Sequence, residues 1–493
     1  MNKNQNLKTP ATINYQVQQA IEQMVSILPK GTDLGLCDVI SAMYSGYFIE
    51  SGGGIMPAVE QYLNQYLSDD EKERAARSRR AAKAVTYGQY NLNELIEQLN
   101  QIVKGSNHWE PTRVQGYRLK PVDMTSYKRS RVEAVKSKTY DSDARRAMPA
   151  VPFGLMGTTG KVAEQRVAIL EMLICGDISQ NQPSQEMEKV YKKVASLLTP
   201  EDIAIFDAGF SLIEAVIHGI DQCVVRLAKN CTFGRKPGEI PPRTASKGPA
   251  PGRHQAEIVR PLARQHGQQT LPKTEADESI TFINQAGQEI HIEVWQPIYF
   301  LERHLDRLGQ TPQAQRLKKK LRKVPLKVVA IHHPDYEEPL VLGTPLIQLQ
   351  PQSMCAIYPE RWPIEGIPQT GKYLLSGGGG RHYVHHPQAL TRLPALTMIF
   401  GSLFKYLAAI SPPMRSGFWD RAVKPTYGRL LRYLKKVGLR LSDQLFKKAS
   451  VTAHLPVGYE AIRLSKSLPS RKWGHEILLF WPDIDQIYGK PKI

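Results

Sequence analysis

The chain has 493 residues and a formal net charge of +19 at neutral pH, from 65 lysines and arginines against 46 aspartates and glutamates. This length predicts roughly three or more structural units, and the positive excess favours a polyanion such as nucleic acid, or an anionic membrane surface. No uncharged apolar run approaches the roughly 18 residues of a spanning helix. No signal peptide is expected from the polar first ten residues. The five scattered cysteines, without a C-x-x-C pair, indicate neither a zinc site nor a disulfide framework and favour a reducing cytoplasm.

Helices are predicted throughout the first hundred residues. Apolar spacing indicates helices at Tyr15–Leu28, Leu34–Phe48 and Pro57–Leu67. A further helix should begin after Ser68, where an N-cap is followed by acids. That helix carries five cations: Arg74, Arg77, Arg79, Arg80 and Lys83. We interpret residues 1–105 as a helical DNA-binding region, with a solvated helix face as the alternative explanation of the cations.

Between residues 106 and 232 the pattern changes to strands and loops with some helices. Helices are predicted at Val162–Cys175 and Met187–Leu198, and short strands at 203–207 and 222–227. This alternation is typical of an α/β layer with helices against a sheet. The segment 128–146 holds many lysines and arginines, which predicts a loop near nucleic acid.

Residues 233–345 begin with a segment rich in proline, glycine and cations, which predicts a long loop over 233–278. Strands are then predicted at Ser279–Ile283, Glu289–Trp295, 326–332 and 339–346, the first two as a hairpin. Between them, Arg316–Lys327 has seven cations in twelve residues and no acid, which favours phosphate binding.

The stretch from residue 358 to 372 carries the most specific pattern. Tyr358, Arg361, Glu365 and Lys372 stand at offsets of 0, 3, 7 and 14, close to one face of a helix. A carboxylate between two cations suits a divalent cation beside a phosphodiester, whereas a solvated helix face with an i, i+4 Arg–Glu pair is an equally open alternative. Prolines and glycines at 363, 366, 368 and 371 predict a helix that starts near Pro363 and kinks before the lysine.

Two helices are predicted beyond this stretch. An apolar helix at Pro394–Ile410, with Pro394 in its first turn, is expected to pack in the core or at a dimer contact. A basic amphipathic helix is predicted at Tyr427–Leu439.

The pattern Y-x2-R-x3-E-x6-K, together with Trp362 and Ile364, resembles the signature of bacterial cut-and-paste insertion-sequence transposases of the DDE type. The resemblance implies that Glu365 is the third catalytic acid. It also implies that Tyr358, Arg361 and Lys372 hold the DNA backbone near a flipped base. A tryptophan of an inserted domain stacks on that base in the family, and Trp295 is the candidate here.

The family also requires two aspartates on upstream strands. Asp207 ends the apolar strand 203–207 and precedes Gly-Phe and the strand containing Arg226, as in the second-aspartate motif; a helix N-cap is the alternative. Asp123, followed by hydroxyl residues and by Lys128 and Arg129, resembles the first-aspartate strand. Its competitors Asp141 and Asp143 lie in a polar stretch.

The resemblance therefore implies an α/β fold with a ribonuclease-H-like catalytic core, interrupted by a strand-rich insertion and flanked by helical N- and C-terminal regions. The expected division is 1–105 DNA-binding, 106–232 first core segment, 233–345 insertion, 346–415 second core segment and 416–493 C-terminal dimerisation region. Asp123, Asp207 and Glu365 would bind two Mg²⁺ ions, or Mn²⁺ in their place. The residues assigned to DNA contact are Tyr358, Arg361, Lys372, Trp295, Arg226, Lys128, Arg129, Lys318, Lys319 and Lys320.

The implied activity is nicking at transposon ends, hairpin formation and resolution, and strand transfer into target DNA. Its partners would be the terminal inverted repeats, the target duplex and a second copy of the chain in a synaptic complex, in the bacterial cytoplasm at the nucleoid, without a membrane. Two alternatives stay open: a non-catalytic DNA-binding protein derived from a transposase, and a metal-dependent nuclease that cuts without joining.

Overall fold

The computed structural model describes residues 10–67, 69–129, 132–141, 144–163, 165–237, 257–284, 286–376, 386–414 and 425–439. Asp143 and most of the predicted C-terminal region lie outside these ranges. By their contacts, the described residues all belong to one compact unit within residues 1–441.

The helices are α1 Pro10–Val25, α2 Thr32–Tyr44, α3 Tyr47–Glu50, α4 Ile55–Asn64, α5 Glu71–Tyr87, α6 Leu92–Lys104, α7 Pro183–Leu197, α8 Leu212–Ile217, α9 Glu302–Leu305, α10 Pro312–Leu321, α11 Pro351–Ile357, α12 Trp362–Thr370, α13 Pro387–Ile410 and α14 Tyr427–Val437. The strands are β1 Trp109–Pro111, β2 Arg113–Val114, β3 Tyr117–Lys128, β4 Lys138–Asp141, β5 Arg146–Val162, β6 Gln165–Cys175, β7 Asp202–Phe206, β8 Cys223–Arg226, β9 Phe233–Gly234, β10 Ile258–Val259, β11 Arg264–His266, β12 Gln269–Leu271, β13 Glu278–Ile283, β14 Glu289–Ile298, β15 Leu326–His332 and β16 Leu340–Thr344.

A mixed sheet of twelve strands organises the described part of the chain and shows an α/β fold. Its main path runs β1-β5-β3-β7-β8-β16-β15-β14-β13, with β2 beside β3 and with β4 and β6 beside β5. The pairs β3–β7 and β7–β8 are parallel and the others are antiparallel. Along β7, Phe206 packs into one apolar cluster and Ile205 into another, so the centre of the sheet is covered on both faces.

The strands predicted for the insertion continue this same sheet. β16 pairs with β8, and β15, β14 and β13 follow outward in order. The predicted hairpin is confirmed as β13 and β14, with Gly287 at a φ of 78° in the connecting turn. The strand-rich segment therefore widens the sheet that carries β3 and β7.

The helix predicted at Val162–Cys175 is wrong. β6 occupies Gln165–Cys175 and pairs with β5 along its length. Its continuous apolar run has no period that separates a buried strand from a buried helix, and pairing with the long β5 decides between them. The helix predicted at Met187–Leu198 is confirmed as α7, and the predicted basic helix near the C-terminal end is confirmed as α14.

The predicted helical region is confirmed. The four helices predicted by range correspond to α1, to α2 with α3, to α4 and to α5, and several N-terminal helices pack against α13. The Tyr44 hydroxyl donates a hydrogen bond to the Phe400 carbonyl at 2.7 Å, and the Tyr44 and Phe404 ring centroids lie 4.4 Å apart. α13 begins at Pro387, so Pro394 lies inside it and not in its first turn. Of the helices in the described ranges, α13 alone is long and apolar enough to cross a membrane, and 94% of its apolar window is buried inside the structure.

The basic helix α5 divides its cations between the interior and the surface. Arg77 is buried, and its Nε lies 3.0 Å from Oδ2 of the fully buried Asp38. Burial raises the pKa of Asp38 above its ordinary value, although Arg77 opposes the shift. Arg79 and Lys83 are exposed. A DNA contact through this helix is therefore open to Arg79 and Lys83 but not to Arg77.

We expect Arg77→Ala to destabilise the fold by about 3–5 kcal/mol, because it leaves the Asp38 carboxylate buried without its partner. Urea denaturation measures the change. Arg79→Ala on the same helix is the matched control and should shift stability by less than about 0.5 kcal/mol. Equal effects of the two substitutions would contradict a structural role for Arg77.

Candidate active site

Two of the predicted acids lie side by side at the sheet. The parallel pairing of β3 with β7 ends at Val122 opposite Phe206, so Asp123 and Asp207 occupy the next position on each strand. Neighbouring strands lie roughly 4.8 Å apart. Both aspartates line one cavity of about 420 Å³. The sheet register therefore brings together two residues that are 84 positions apart in the sequence.

The signature stretch forms three successive helical segments. Residues Tyr358–Arg361 make a 3₁₀ turn, α12 follows with Pro363 in its first turn, and Gly371–Leu375 form a π-helical turn. The predicted helix start is confirmed. Lys372 lies within the π turn that follows α12, where a kink before the lysine was predicted. Such turns are rare and occur frequently at functional sites.

Arg361 is the cation around which the acids are arranged. Its side chain is 2% exposed, and its Nη1 lies 2.6 Å from Oε1 of Glu365. The guanidinium also lies over the indole of Trp362, 4.7 Å from the ring centroid. Its charge acts on the carboxylates of both Asp123 and Asp207. All three predicted acids therefore share one buried guanidinium.

The pKa values of the two aspartates are shifted in opposite directions. Burial raises the pKa of Asp123 to about 6; Arg361 opposes the shift, and the negative charges of Glu365 and Asp207 add to it. Burial also acts to raise the pKa of Asp207, but hydrogen bonds from the Ala208 N–H and from the Tyr358 hydroxyl, with the cations nearby, bring it below its ordinary value. The pKa of Asp123 is therefore raised mainly by burial, whereas the pKa of Asp207 is lowered by its hydrogen bonds and the nearby cations.

Tyr358 and Lys372 connect the signature stretch to the strands. The Tyr358 hydroxyl donates a hydrogen bond to Oδ1 of Asp207 at 2.9 Å. Burial raises the pKa of this tyrosine to about 12. Lys372 Nζ donates to the Thr125 hydroxyl at 2.7 Å, two residues beyond Asp123, and burial lowers its pKa to about 8. The contact through Thr125 was not foreseen from the sequence.

The other predicted DNA contacts fall into two groups. Arg226 lies 3.6 Å from Oδ1 of Asp207, at the edge of the site, and Lys319 and Lys320 are exposed on α10. Lys318 of the same helix is 2% exposed, so its ammonium is not presented to DNA. The prediction for Lys318 is wrong. Neighbouring residues of a helix point in different directions, and Lys318 lies on the side of α10 that faces the interior.

The basic residues at the end of β3 also differ from each other. Lys128 is exposed and forms an ion pair with Asp141, with 2.6 Å between Nζ and Oδ2. Arg129 is buried and donates through Nη1 to the Lys128 carbonyl at 3.0 Å. A DNA contact is therefore open to Lys128 but not to Arg129. Asp141, the competitor of Asp123, is engaged by Lys128 instead.

Trp295 does not have the exposed ring that base stacking needs. It is fully buried in the core, and its indole N–H donates to the Glu275 carbonyl at 3.0 Å. Trp362, by contrast, is 53% exposed and lies three residues before Glu365. In the sequence Trp362 was assigned only to the signature pattern. Its spacing of three residues from Glu365 places both on one face of a helix, and this spacing could have marked Trp362 as a stacking candidate.

Lys405 of α13 supports α12 from behind. Its Nζ donates to the Pro363 carbonyl at 3.2 Å, and burial lowers its pKa to about 8. A Cβ on Gly366 would lie 2.1 Å from that Nζ. A side chain at position 366 would therefore force the ammonium of the buried Lys405 to move.

The donor chemistry of the three acids fits a divalent cation, because carboxylate oxygens are the ligands that Mg²⁺ prefers. The raised pKa of Asp123 also reflects like charges that a cation would relieve. Within the described ranges, however, no group of three His, Cys, Asp or Glu side chains is placed to hold one metal ion. Glu365 is instead engaged by Arg361. A metal held by all three acids would have to share Glu365 with Arg361 or displace this ion pair.

In comparisons with known proteins, no protein-family model matches the chain, and no curated protein matches it. Function is therefore inferred from the chain's own residues and their arrangement.

We expect Trp295→Ala to destabilise the fold by about 3–5 kcal/mol, because a large buried side chain leaves a cavity. Trp362→Ala is the matched control, since most of its ring already meets water, and it should change stability far less. Urea denaturation of both variants tests this. A larger loss for Trp362→Ala would contradict the burial of Trp295.

Lys405→Met should stabilise the fold at pH 7 by an amount on the order of 3 kcal/mol. This is the free energy that corresponds to lowering the lysine pKa to about 8 from its ordinary value. The unfolded chain keeps this proton up to about pH 10.4, whereas the folded chain releases it near pH 8. The wild-type penalty is therefore complete below pH 8 and fades as the pH rises towards 10.4.

Thermal unfolding of the wild type and Lys405→Met at pH 7 and pH 10 measures this difference. The advantage of the variant should shrink at the higher pH. Lys83→Met, at an exposed position of α5, is the control and should show no such dependence. If the variant is more stable by the same amount at pH 7 and pH 10, the protonation of Lys405 does not contribute to the difference, which would contradict the lowered pKa.

Proposed function

We propose that the chain is a DDE-type DNA transposase that moves an insertion sequence by metal-dependent cutting and joining. The observation that carries the proposal is that Asp123 and Asp207 lie side by side where the parallel pairing of β3 and β7 ends, and that the charges of Arg361 and Glu365 act on Asp123. Charges lose their hydration at such a place, so a merely structural purpose would be better served by apolar residues. Phosphodiester chemistry gives this set of charges a use.

The strand order supports a ribonuclease-H-like core within the α/β fold. Three antiparallel strands, β6, β5 and β3, are continued by the two parallel strands β7 and β8. α7 connects β6 to β7, and α8 connects β7 to β8. The first acid lies within β3 and the second directly follows β7, as the resemblance requires. The third lies on a helix that is reached only after the insertion.

When bound, two Mg²⁺ ions, or Mn²⁺ in their place, would activate water or a DNA 3′-OH and stabilise the leaving oxygen. Asp123, Asp207 and Glu365 are the residues that would hold them. Arg361 neutralises and orients Glu365. Arg226 and Lys372, at the edges of the site, offer cations to non-bridging phosphate oxygens.

The substrates in this proposal are the terminal inverted repeats of the element and a target duplex, and two copies of the chain would act in a synaptic complex. The net charge of +19 favours such a polyanion. The steps are end nicking, hairpin formation and resolution, and strand transfer. The exposed ring of Trp362 replaces the buried Trp295 as the candidate for stacking on an unpaired base. The proposed setting is the bacterial cytoplasm, at the nucleoid.

One observation favours a second candidate, a DNA-binding protein that no longer cuts. Glu365 is engaged by Arg361, and the described residues hold no three-ligand group for a metal. A guanidinium that permanently occupied Glu365 in place of a metal would leave the site inactive. A nuclease that cuts without joining would share the transposase site and differ only in its products.

We expect the wild type to cleave a labelled linear duplex carrying the flanking terminal repeats when Mg²⁺ or Mn²⁺ is added, and to yield a hairpin product. Glu365→Gln keeps the shape of the side chain but removes its charge. Loss of several kcal/mol of metal-assisted stabilisation corresponds to a rate reduction of about 10²–10³-fold. Gel separation of nicked, hairpin and joined products measures each step.

Glu188→Gln, on the exposed surface of α7, is the control and should cleave like the wild type. Tight binding of the repeats without cleavage by any of these proteins would favour the DNA-binding alternative. Cleavage without hairpin or joined products would favour the nuclease.

A further inference from the structure

A second cavity opens beside the outer strands β14 and β15, and its lining suits a cation. It measures about 400 Å³ and is lined by Tyr336, two prolines, three glutamates and three histidines. None of these described residues is a lysine or an arginine, although the whole chain has a net charge of +19. One of the glutamates, Glu338, is paired with Lys229 from outside the lining. Negative charge in this lining disfavours DNA and favours a cation that accepts histidine ligands.

Two of the histidines face each other across the pairing of β14 with β15. His291 and His332 are direct partners in the antiparallel register, and their ring centroids lie 5.5 Å apart. A metal at about 2.1 Å from an imidazole nitrogen lies roughly 3.2 Å from the ring centroid, and two such rings at a tetrahedral angle have centroids roughly 5.2 Å apart. The observed spacing is therefore close to that of two imidazoles that bind one tetrahedral ion.

This spacing also suits a simple ring contact, and the polar partners of the two rings distinguish the alternatives. Nε2 of His332 donates to Oε2 of the buried Glu293 at 3.0 Å, and Nδ1 of His291 lies 3.0 Å from the Thr281 hydroxyl. A metal-binding histidine characteristically donates its other ring N–H to such a partner, which fixes its tautomer and orientation. The nitrogens left for a metal are Nδ1 of His332 and Nε2 of His291, and no described residue forms a hydrogen bond with either.

Glu289 is the candidate for a third ligand. It lies two residues before His291 on β14, so both side chains leave the same face of the strand, and it lines the same cavity. His333 is less suitable, because its Nδ1 accepts the Asp335 backbone N–H at 3.1 Å and its proton is therefore on Nε2. Among the described residues no three such ligands are already in place around one ion. The exposed Glu289 side chain must therefore turn towards the rings when the ion binds.

We propose that His291, His332 and Glu289 form a binding site for a divalent transition-metal ion such as Zn²⁺, with water as the fourth ligand. Imidazole nitrogen suits Zn²⁺, Ni²⁺ and Cu²⁺, whereas Mg²⁺ prefers oxygen ligands such as the three acids of the candidate active site. The site shares no residue with those acids, and the inference does not rest on the proposed function. A bound ion would join β14 to β15 and stabilise the folded chain over the unfolded one.

Isothermal titration calorimetry of the full chain with Zn²⁺ tests the site, with excess Mg²⁺ present throughout to compete for the three acids. We expect the wild type to bind one Zn²⁺ more than His291→Ala or His332→Ala, because each variant lacks one of the two nitrogen ligands. Zn²⁺ bound by other histidines or cysteines is common to all the proteins and cancels in this difference. His108→Ala, which removes an exposed histidine directly before β1, is the matched control and should bind Zn²⁺ like the wild type.

Thr281→Val tests the hydroxyl partner of His291. The variant keeps the shape of the side chain and all three ligands, but it loses the group that orients the ring. We expect an affinity for Zn²⁺ that is about tenfold lower, at the lower end of the roughly 10–100-fold that such partners contribute, with the number of bound ions unchanged. A simple polar contact between strands would not make the Zn²⁺ affinity depend on this hydroxyl.

Thermal unfolding with and without Zn²⁺ is the second measurement, and it also verifies that each variant folds. Zn²⁺ should raise the unfolding midpoint of the wild type and of His108→Ala by more than it raises the midpoints of the two ligand variants, because an ion bound only by the folded state stabilises that state. If His332→Ala does not fold, because Glu293 loses its partner, His291→Ala decides the question alone.

The proposal is overturned if His291→Ala binds as many Zn²⁺ ions as the wild type with the same affinity, or if the wild type binds no Zn²⁺ in the presence of Mg²⁺. End cleavage of the terminal-repeat duplex is measured separately on the same proteins. Cleavage without Zn²⁺ binding would leave the transposase proposal standing alone, and Zn²⁺ binding without cleavage would leave only this site.

Discussion

The arrangement of the site depends on one buried guanidinium. Arg361 contacts Glu365 directly, and its charge acts on Asp123 and Asp207, so three acids share a position that would otherwise be strongly repulsive. The guanidinium is in turn held between the Tyr358 and Trp362 rings, with centroid distances of 5.8 and 4.7 Å. The signature pattern is therefore one packed unit, in which the tyrosine, arginine and glutamate fix each other before any ligand binds.

The acids of the candidate site could be proposed from the sequence because they belong to local motifs. Glu365 stands in a pattern of fixed offsets, and Asp207 directly follows a short apolar strand. Their neighbours were not predictable, because they depend on contacts between distant segments. Thr125 meets Lys372 across 247 positions, and Gly366 makes room for Lys405 of another helix. Spacing within one segment carries no information about such partners.

Elements were predicted correctly where apolar residues recur with a clear period, and prediction failed where an apolar run is continuous. The N-terminal helices and the β13–β14 hairpin followed from their apolar spacing. The apolar run of β6 fits a buried helix as well as a strand, and only its pairing with β5 decides. A basic stretch also did not predict which cations are exposed, because Arg77, Arg129 and Lys318 are buried although each stands in such a stretch.

The contact between Tyr44 and Phe400 has a consequence for how the chain is made. These residues are 356 positions apart, a length that a ribosome translating roughly 5–20 residues per second covers in about 20–70 s. Until α13 emerges, the N-terminal helices lack the surface that covers them, and β8 lacks its neighbour β16. Nascent chains thus expose apolar faces of the N-terminal helices until α13 is made and the edge of β8 until β16 is made, and chaperone protection would matter most in these intervals.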